Sequence, residues 1–171
     1  MKNILISLTC VLAVIIVFLY AQGILPTKPY QKASLSTEEV LTAINKTRSQ
    51  YGLKQLKTNP LLQQAAQAKA IDIFKQQYFQ HTSPNNKDFS DFIKETNYQA
   101  NRLGENLAKN ISDPQTLIQS WLDSPPHRDN LLNPYFQEVG LGILAGNLEH
   151  KKTTIVVEML GEPKEKKGDD F

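Results

Sequence analysis

The sequence is short of the residues that staple or metallate a small domain. Its single cysteine, Cys10, permits no internal disulfide, which excludes a disulfide-bridged mini-protein and a zinc site built from several thiolates. An excess of either charge is also missing. The 19 Lys and Arg nearly balance 17 Asp and Glu, for a net charge of +2, and no basic cluster of the kind a nucleic-acid binder carries is present. Histidine is confined to His81, His127 and His150. No H-x-x-x-H pair exists for a helix-borne zinc, and no G-x-S-x-G turn supports Ser83 or Ser124 as a nucleophile. Internal repeats are absent. What remains, 40% hydrophobic residues spread along the chain, is enough for one folded domain and argues against disorder.

The N-terminus carries the one long apolar run. Ile4–Ala21 has no charge and as a helix would extend ~27 Å, close to the ~30 Å hydrocarbon core of a bilayer. Lys2 precedes it and Tyr20, an interface-seeking aromatic, lies near its far end. A signal anchor over residues 1–25 is favoured over a cleaved signal peptide, whose apolar region is normally shorter. Both place the rest of the chain outside the cytoplasm: a single-pass membrane protein in the first case, a secreted one in the second. Residues 26–34, with Pro26 and Pro29, read as a linker, residues 35–162 as the folded domain, and 163–171 as a charged tail.

Within the domain the punctuation is clear. Ser36-Thr37-Glu38-Glu39 is a capping box, and Val40, Leu41, Ile44 and Tyr51 follow at helical spacing up to Gly52. Asn59-Pro60 opens a second helix with a buried stripe of Leu62, Ala66, Ala70 and Ile73. A short helix is predicted around Phe89–Thr96, and another from Asp113-Pro114 through Trp121 to Ser124-Pro125-Pro126. Residues 105–108 show no assignable pattern. Glu138–Leu144 alternates Val139, Leu141 and Ile143 with Glu138, Gly140 and Gly142, and Thr153–Leu160 is β-branched; both read as strands, with Gly146-Asn147 in the turn region. Helices first and strands later predict an α+β layer fold.

Chemistry must come from few residues. His81 and His127 each follow a predicted helix, so two loops could bring their imidazoles to one divalent metal such as zinc, although the 46-residue separation fits two ordinary surface histidines better on spacing alone. His150, beside Glu149 and two lysines, reads as a solvated hairpin residue. Glu105, in a mostly uncharged stretch, could pair with an imidazole, act as a general base, or brace the backbone. Glu138 shares a strand face with Gly140 and Gly142, which either leave a shallow floor beside the carboxylate or admit a helix close to the sheet.

These residues fall within motifs that resemble the CAP superfamily (cysteine-rich secretory proteins, antigen 5, pathogenesis-related class 1; also SCP-like). The motifs are Asn45-Lys46-Thr47-Arg48 with Tyr51-Gly52-Leu53, Ala65-Ala66, Phe79-Gln80-His81-Thr82-Ser83-Pro84, Gly104-Glu105-Asn106-Leu107-Ala108, and the bacterial-looking stretch from Trp121 through Ser124-Pro125-Pro126-His127-Arg128 to Gly142. The resemblance implies a three-layer α-β-α sandwich with a largely antiparallel sheet, and a cleft lined by two histidines and two acids that in some members holds zinc. His81 and Glu105 match the family motif directly. There is no G-H-F-T segment, and His127 and Glu138 stand in for the second His–acid pair from altered positions. The expected function is a membrane-tethered module binding a lipid, cell-wall or peptide ligand. A metal-dependent hydrolase with Glu105 or Glu138 as base, and a structural role in the envelope, are the alternatives.

Overall fold

The computed structural model describes residues 30–164. The apolar run Ile4–Ala21 and the tail after Lys164 lie outside them. Among the described residues no helix is long and apolar enough to cross a membrane.

The helix starts follow from local hydrogen bonding. Ser36 Oγ accepts from the Glu39 amide at 3.2 Å while the Glu39 carboxylate accepts from the Ser36 amide at 3.0 Å, closing the box that opens α1 (Thr37–Gln50). Asn59 Oδ1 accepts from the Leu61 and Leu62 amides ahead of α2 (Pro60–Gln76), and Pro60 occupies a first-turn position where no N–H is needed. Asp88 and Asp91 form a second box at α3 (Phe89–Lys94). Asp113 caps α4 (Pro114–Asp123) through the Thr116 amide, and α5 (Pro125–Leu131) begins at once with two prolines in its first turn.

Five strands make one sheet: β1 (Tyr30–Lys32), β2 (Lys57–Thr58), β3 (Ala100–Lys109), β4 (Glu138–Leu148) and β5 (Lys151–Pro163). The order is β1-β4-β5-β3, with every neighbour antiparallel, and β2 runs parallel to the first residues of β4. Alternation along β4 divides the core. Val139, Leu141 and Ile143 pack with Val40 and Ile44 of α1, Leu117 and Trp121 of α4 and Leu131 of α5. On the other face Leu144, Val157 and Met159 pack with Leu62, Ala66, Ala70 and Ile73 of α2 and Phe92 and Ile93 of α3. The result is the expected α-β-α sandwich, with β3 at the sheet edge.

Three local expectations are corrected and one unassigned stretch is placed. Tyr30–Lys32 are not linker: they pair with Gly146, Ala145 and Leu144, filling part of the free edge of β4. The hairpin turns at Glu149-His150, both at positive φ (49° and 65°) as a two-residue I′-type turn requires, so Gly146 and Asn147 remain within the strand. Tyr51 is 57% exposed, and Thr47 and Arg48 take the last places on the buried face of α1. Residues 105–108, without pattern in the sequence, are the middle of β3.

Gly140 and Gly142 admit a helix rather than leaving a floor. A Cβ at Gly140 would overlap the Leu62 carbonyl and the Gln63 nitrogen, and one at Gly142 the Ala66 carbonyl. The α2 backbone therefore lies directly on β4, and the small residues Ala65, Ala66 and Ala70 line its contact face. Gly142→Ala should lower unfolding free energy by about 3 kcal/mol, because the obstructing atoms are backbone and cannot rotate away. Urea unfolding of the variant against wild type checks this; an unchanged midpoint would show the two layers to be less closely seated.

Candidate functional site

The site is assembled at the middle of β3, the outermost strand, where the two helical layers meet across the sheet edge. Adjacent residues there point to opposite faces. Glu105 turns toward α2 and Asn106 toward α5.

On the α2 side, the chain leaves the helix through Gln77 in a left-handed conformation, and the following loop brings His81 over β3. His81 Nδ1 lies 2.7 Å from Glu105 Oε1. Lys69, fully buried on α2, fixes the loop by donating from Nζ to the His81 carbonyl at 2.7 Å. Its ammonium also lies over the Tyr78 and Phe92 rings, at 5.0 and 5.2 Å from their centroids. Ser83 is a brace of the same loop, its Oγ accepting from the Lys87 amide.

On the α5 side, Asn106 Nδ2 donates to Glu158 Oε2 at 2.8 Å and to the His127 carbonyl at 3.1 Å. Asn130 Nδ2 in turn donates to Asn106 Oδ1 and to the Glu105 carbonyl. Fully buried Arg48 holds the end of α5 and the segment beyond it through the Leu131, Asn133 and Phe136 carbonyls. So fastened, α5 places His127 with its ring centroid 6.4 Å from that of His81, and His127 Nδ1 is 2.9 Å from Ser124 Oγ.

Of the residues singled out from the sequence, His81, Glu105 and His127 are thus brought together. Glu138 is not in that group. Its Oε2 accepts from the Tyr98 hydroxyl at 2.7 Å and from Asn59 Nδ2 at 3.0 Å, so it ties the α2 cap to the sheet, with β5 between it and β3. His150 is exposed in the hairpin turn. The acid on the α5 side is instead Glu158, which sequence reasoning missed.

The electrostatics of the two imidazoles diverge. The Glu105 hydrogen bond raises the His81 pKa, while burial and the nearby His81 charge lower that of His127. Burial pushes the Glu105 carboxyl up against the pull of His81 and Lys69. Among the described residues, Glu105 Oε2 and Glu158 Oε1 are buried without a hydrogen-bond partner. The cleft therefore tends toward a protonated His81, a donor, beside a neutral His127. As a metal site the donor set falls short: among the described residues no three His, Cys, Asp or Glu side chains group as a metal requires, whereas a catalytic zinc normally has three protein ligands. Two imidazoles alone leave that set one ligand short, while the Glu105 bond to His81 Nδ1 leaves Nε2 as that ring's free donor.

Two expected outcomes follow from this geometry. Glu105→Gln removes the partner that raises His81, so the imidazole resonances of His81 should titrate at lower pH in the variant; an unmoved midpoint would mean the pair is not formed in solution. Glu158, pushed by burial from its ordinary 4.5 to about 7, makes the folded state bind more protons than the unfolded one across that window. Its contribution to stability therefore falls as pH rises from 4.5 to 7 and is level above. Relative to wild type, Glu158→Gln should gain about 3 kcal/mol between those limits at about 1.36 kcal/mol per pKa unit. Unfolding curves at about pH 4.5, 6 and 7.5 measure that difference, and parallel pH profiles for the two proteins would contradict it.

Comparison with known proteins bears on the family and the fold. The model of the cysteine-rich secretory protein (CAP) family matches residues 41–158. Bacillus subtilis (strain 168) YkwD is 33% identical over 116 residues, covering 68% of this chain and 45% of YkwD. The membrane protein YlbC of the same organism is 29% identical over 108 residues, 63% of this chain and 31% of its own length. The chain thus spans less than half the length of either relative. Among solved structures, an outer surface protein of Borrelia burgdorferi superposes with a TM-score of 0.66 at 22% identity, over 78% of this chain and 100% of that one. An extracellular SCP-domain protein of Bacillus anthracis gives 0.63 at 24% identity, over 85% of this chain and 49% of that one. At such identities they speak for the fold alone. With its motifs, layer order and family match in agreement, the chain belongs to the cysteine-rich secretory protein (CAP) family, in its bacterial branch.

Proposed function

We propose that this CAP domain works outside the cytoplasm, held at the membrane through residues 4–21, as a binding module whose cleft is the space bounded by His81, Glu105 and His127. The observation that carries it is the 6.4 Å approach of two imidazoles with opposite pKa shifts, supported by a buried carboxylate. An imidazolium donates and a neutral imidazole accepts, so the cleft suits a ligand presenting an anionic group next to a hydroxyl or amide. The polar end of a lipid, a cell-wall fragment and a peptide all carry such groups. The His81 side chain, 56% exposed, is open to such a ligand.

A hydrolase reading draws on the same divergence. Neutral His127 would take a proton from water as the water oxygen attacks, and His81 would give one to the leaving group.

Titration of the protein with a peptidoglycan digest, a short-peptide pool and phospholipid micelles, followed on the imidazole resonances, tests the proposal. His81 and His127 should shift with one of these while His150, exposed in its turn, stays fixed. His81→Ala and His127→Ala should each weaken that binding tenfold or more. Equal movement of all three histidines, or of none, would remove the cleft as a binding site. Product released from the digest, and lost in both alanine variants, would carry the hydrolase reading instead.

A further inference from the structure

We propose that the hairpin end of the sheet, where β4 turns into β5, is a second binding surface whose partner is anionic phospholipid in the leaflet that anchors the chain. This rests on the membrane tether proposed above, but on none of the cleft residues.

Placement is the first argument. Tyr30 pairs with Gly146, so the chain enters the domain beside the Glu149-His150 turn. Residues 22–29 connect that point to the apolar run and, fully extended, reach at most about 29 Å. That reach bounds how far Tyr30, and the hairpin end beside it, can lie from the end of the apolar run.

Charge is the second. Lys109, Lys151 and Lys152 are exposed at this end, together with His150, and β1 adds exposed Lys32. Glu149 lies in the turn itself, and Asp113 follows the recess residue Ser112 with its carboxylate committed to capping α4. The exposed carboxylates of α1, Glu38 and Glu39, line a different groove, shared with Pro114 and Gln115 beyond Asp113. Lysines within a Debye length of an anionic surface are attracted to it.

The third is shape. Between β1, the β3–α4 connection and the hairpin is a recess of about 710 Å³ lined by Tyr30, Asn110, Ile111, Ser112, Asn147 and Lys152. An ammonium with amide and hydroxyl donors matches a phosphodiester, and Tyr30 and Ile111 suit the headgroup–acyl boundary. Glu105 lies four residues along β3 from Lys109, so a docked domain keeps its cleft on the lateral edge of the sheet, open to solvent.

The test is hydrogen exchange on the full chain in nanodiscs of phosphatidylcholine alone and with about 30% phosphatidylglycerol. Exchange across Asn110–Ser112 and Asn147–Lys152 should slow about tenfold or more with phosphatidylglycerol, and the slowing should vanish in a variant carrying Lys109→Gln, Lys151→Gln and Lys152→Gln. Those side chains are exposed, so the variant keeps its fold. Equal protection in both discs would overturn the proposal in favour of cover by the chain's own residues 22–29. Protection that grows with protein concentration and needs no lipid would overturn it in favour of a second copy. Protection of residues 4–21 alone would leave the tether standing and the surface refuted. If the chain does not enter the discs, the tether fails, and co-sedimentation with vesicles of the two compositions then decides the surface: pelleting dependent on phosphatidylglycerol and on the three lysines supports it, and none overturns it.

Discussion

A carboxylate and an amide on successive residues of the edge strand hold this domain together where its histidines meet. Because side chains alternate along β3, Glu105 reaches the α2 layer and Asn106 the α5 layer from one short stretch of backbone. Each then grips a segment of one helical layer, the loop after α2 or the first turn of α5. Glu105 receives the His81 ring, and Asn106 donates to the His127 carbonyl while resting on Glu158. The 6.4 Å spacing of the rings follows from their being held by successive residues of one strand. A one-residue slip of β3 against β5 would exchange the two faces and separate the pair. The register of this 10-residue strand, running from Ala100 opposite Pro163 to Lys109 opposite Ile155, opposes such a slip.

The buried cations serve the same end. A domain without disulfides must fix its long connections by packing and hydrogen bonds, and here Arg48 and Lys69 do so from inside the helices. Arg48 donates to four carbonyls, those of Lys54, Leu131, Asn133 and Phe136, and Lys69 to that of His81. A planar guanidinium suits several carbonyls at once, whereas a single ammonium suits one carbonyl above two aromatic faces. Buried ionic groups of this kind stabilise poorly in comparison with apolar residues of equal volume. Their value lies in selecting one loop arrangement, because any other leaves a charge buried without partners.

How much of this was legible in the sequence depended on the range of the interaction. Caps were legible because Ser36 with Glu39 and Asn59 with Pro60 act within one helical turn. The alternation of β4 was legible for the same reason, and it correctly set Glu138 on the face opposite Val139. What occupied that face was not, since the α2 backbone on Gly140 lies 78 residues away in the Gln63–Leu141 bond that accompanies it. β3 escaped notice because its glycine, asparagines and alanines give no strand-like run, its pairing being dictated by β5. Signals did exist for two of the missed residues. Lys69 falls three residues after Ala66 and four before Ile73, squarely on the apolar stripe of α2, and Arg48 falls four after Ile44 on that of α1. A cation at such a position marks a buried partner waiting elsewhere in the chain.

Glu158 gave a fainter sign. In Thr-Thr-Ile-Val-Val-Glu-Met-Leu, a lone acid in a strand bounded by apolar residues on both faces has no solvated side to occupy. A parallel case is Glu105, buried one strand over, so β3 and β5 carry one buried acid each, on opposite faces of the sheet. Both have an oxygen without a partner and both are driven toward the neutral acid by burial. Their fates differ because only Glu105 meets an imidazole that can lend it a proton's charge. Glu158 meets an amide and the field of Arg48, which orient it but cannot share its proton. The sheet edge thus pairs an acid that tunes one histidine with an acid that positions the backbone of the other, and the asymmetry of the two imidazoles follows from that difference in neighbours.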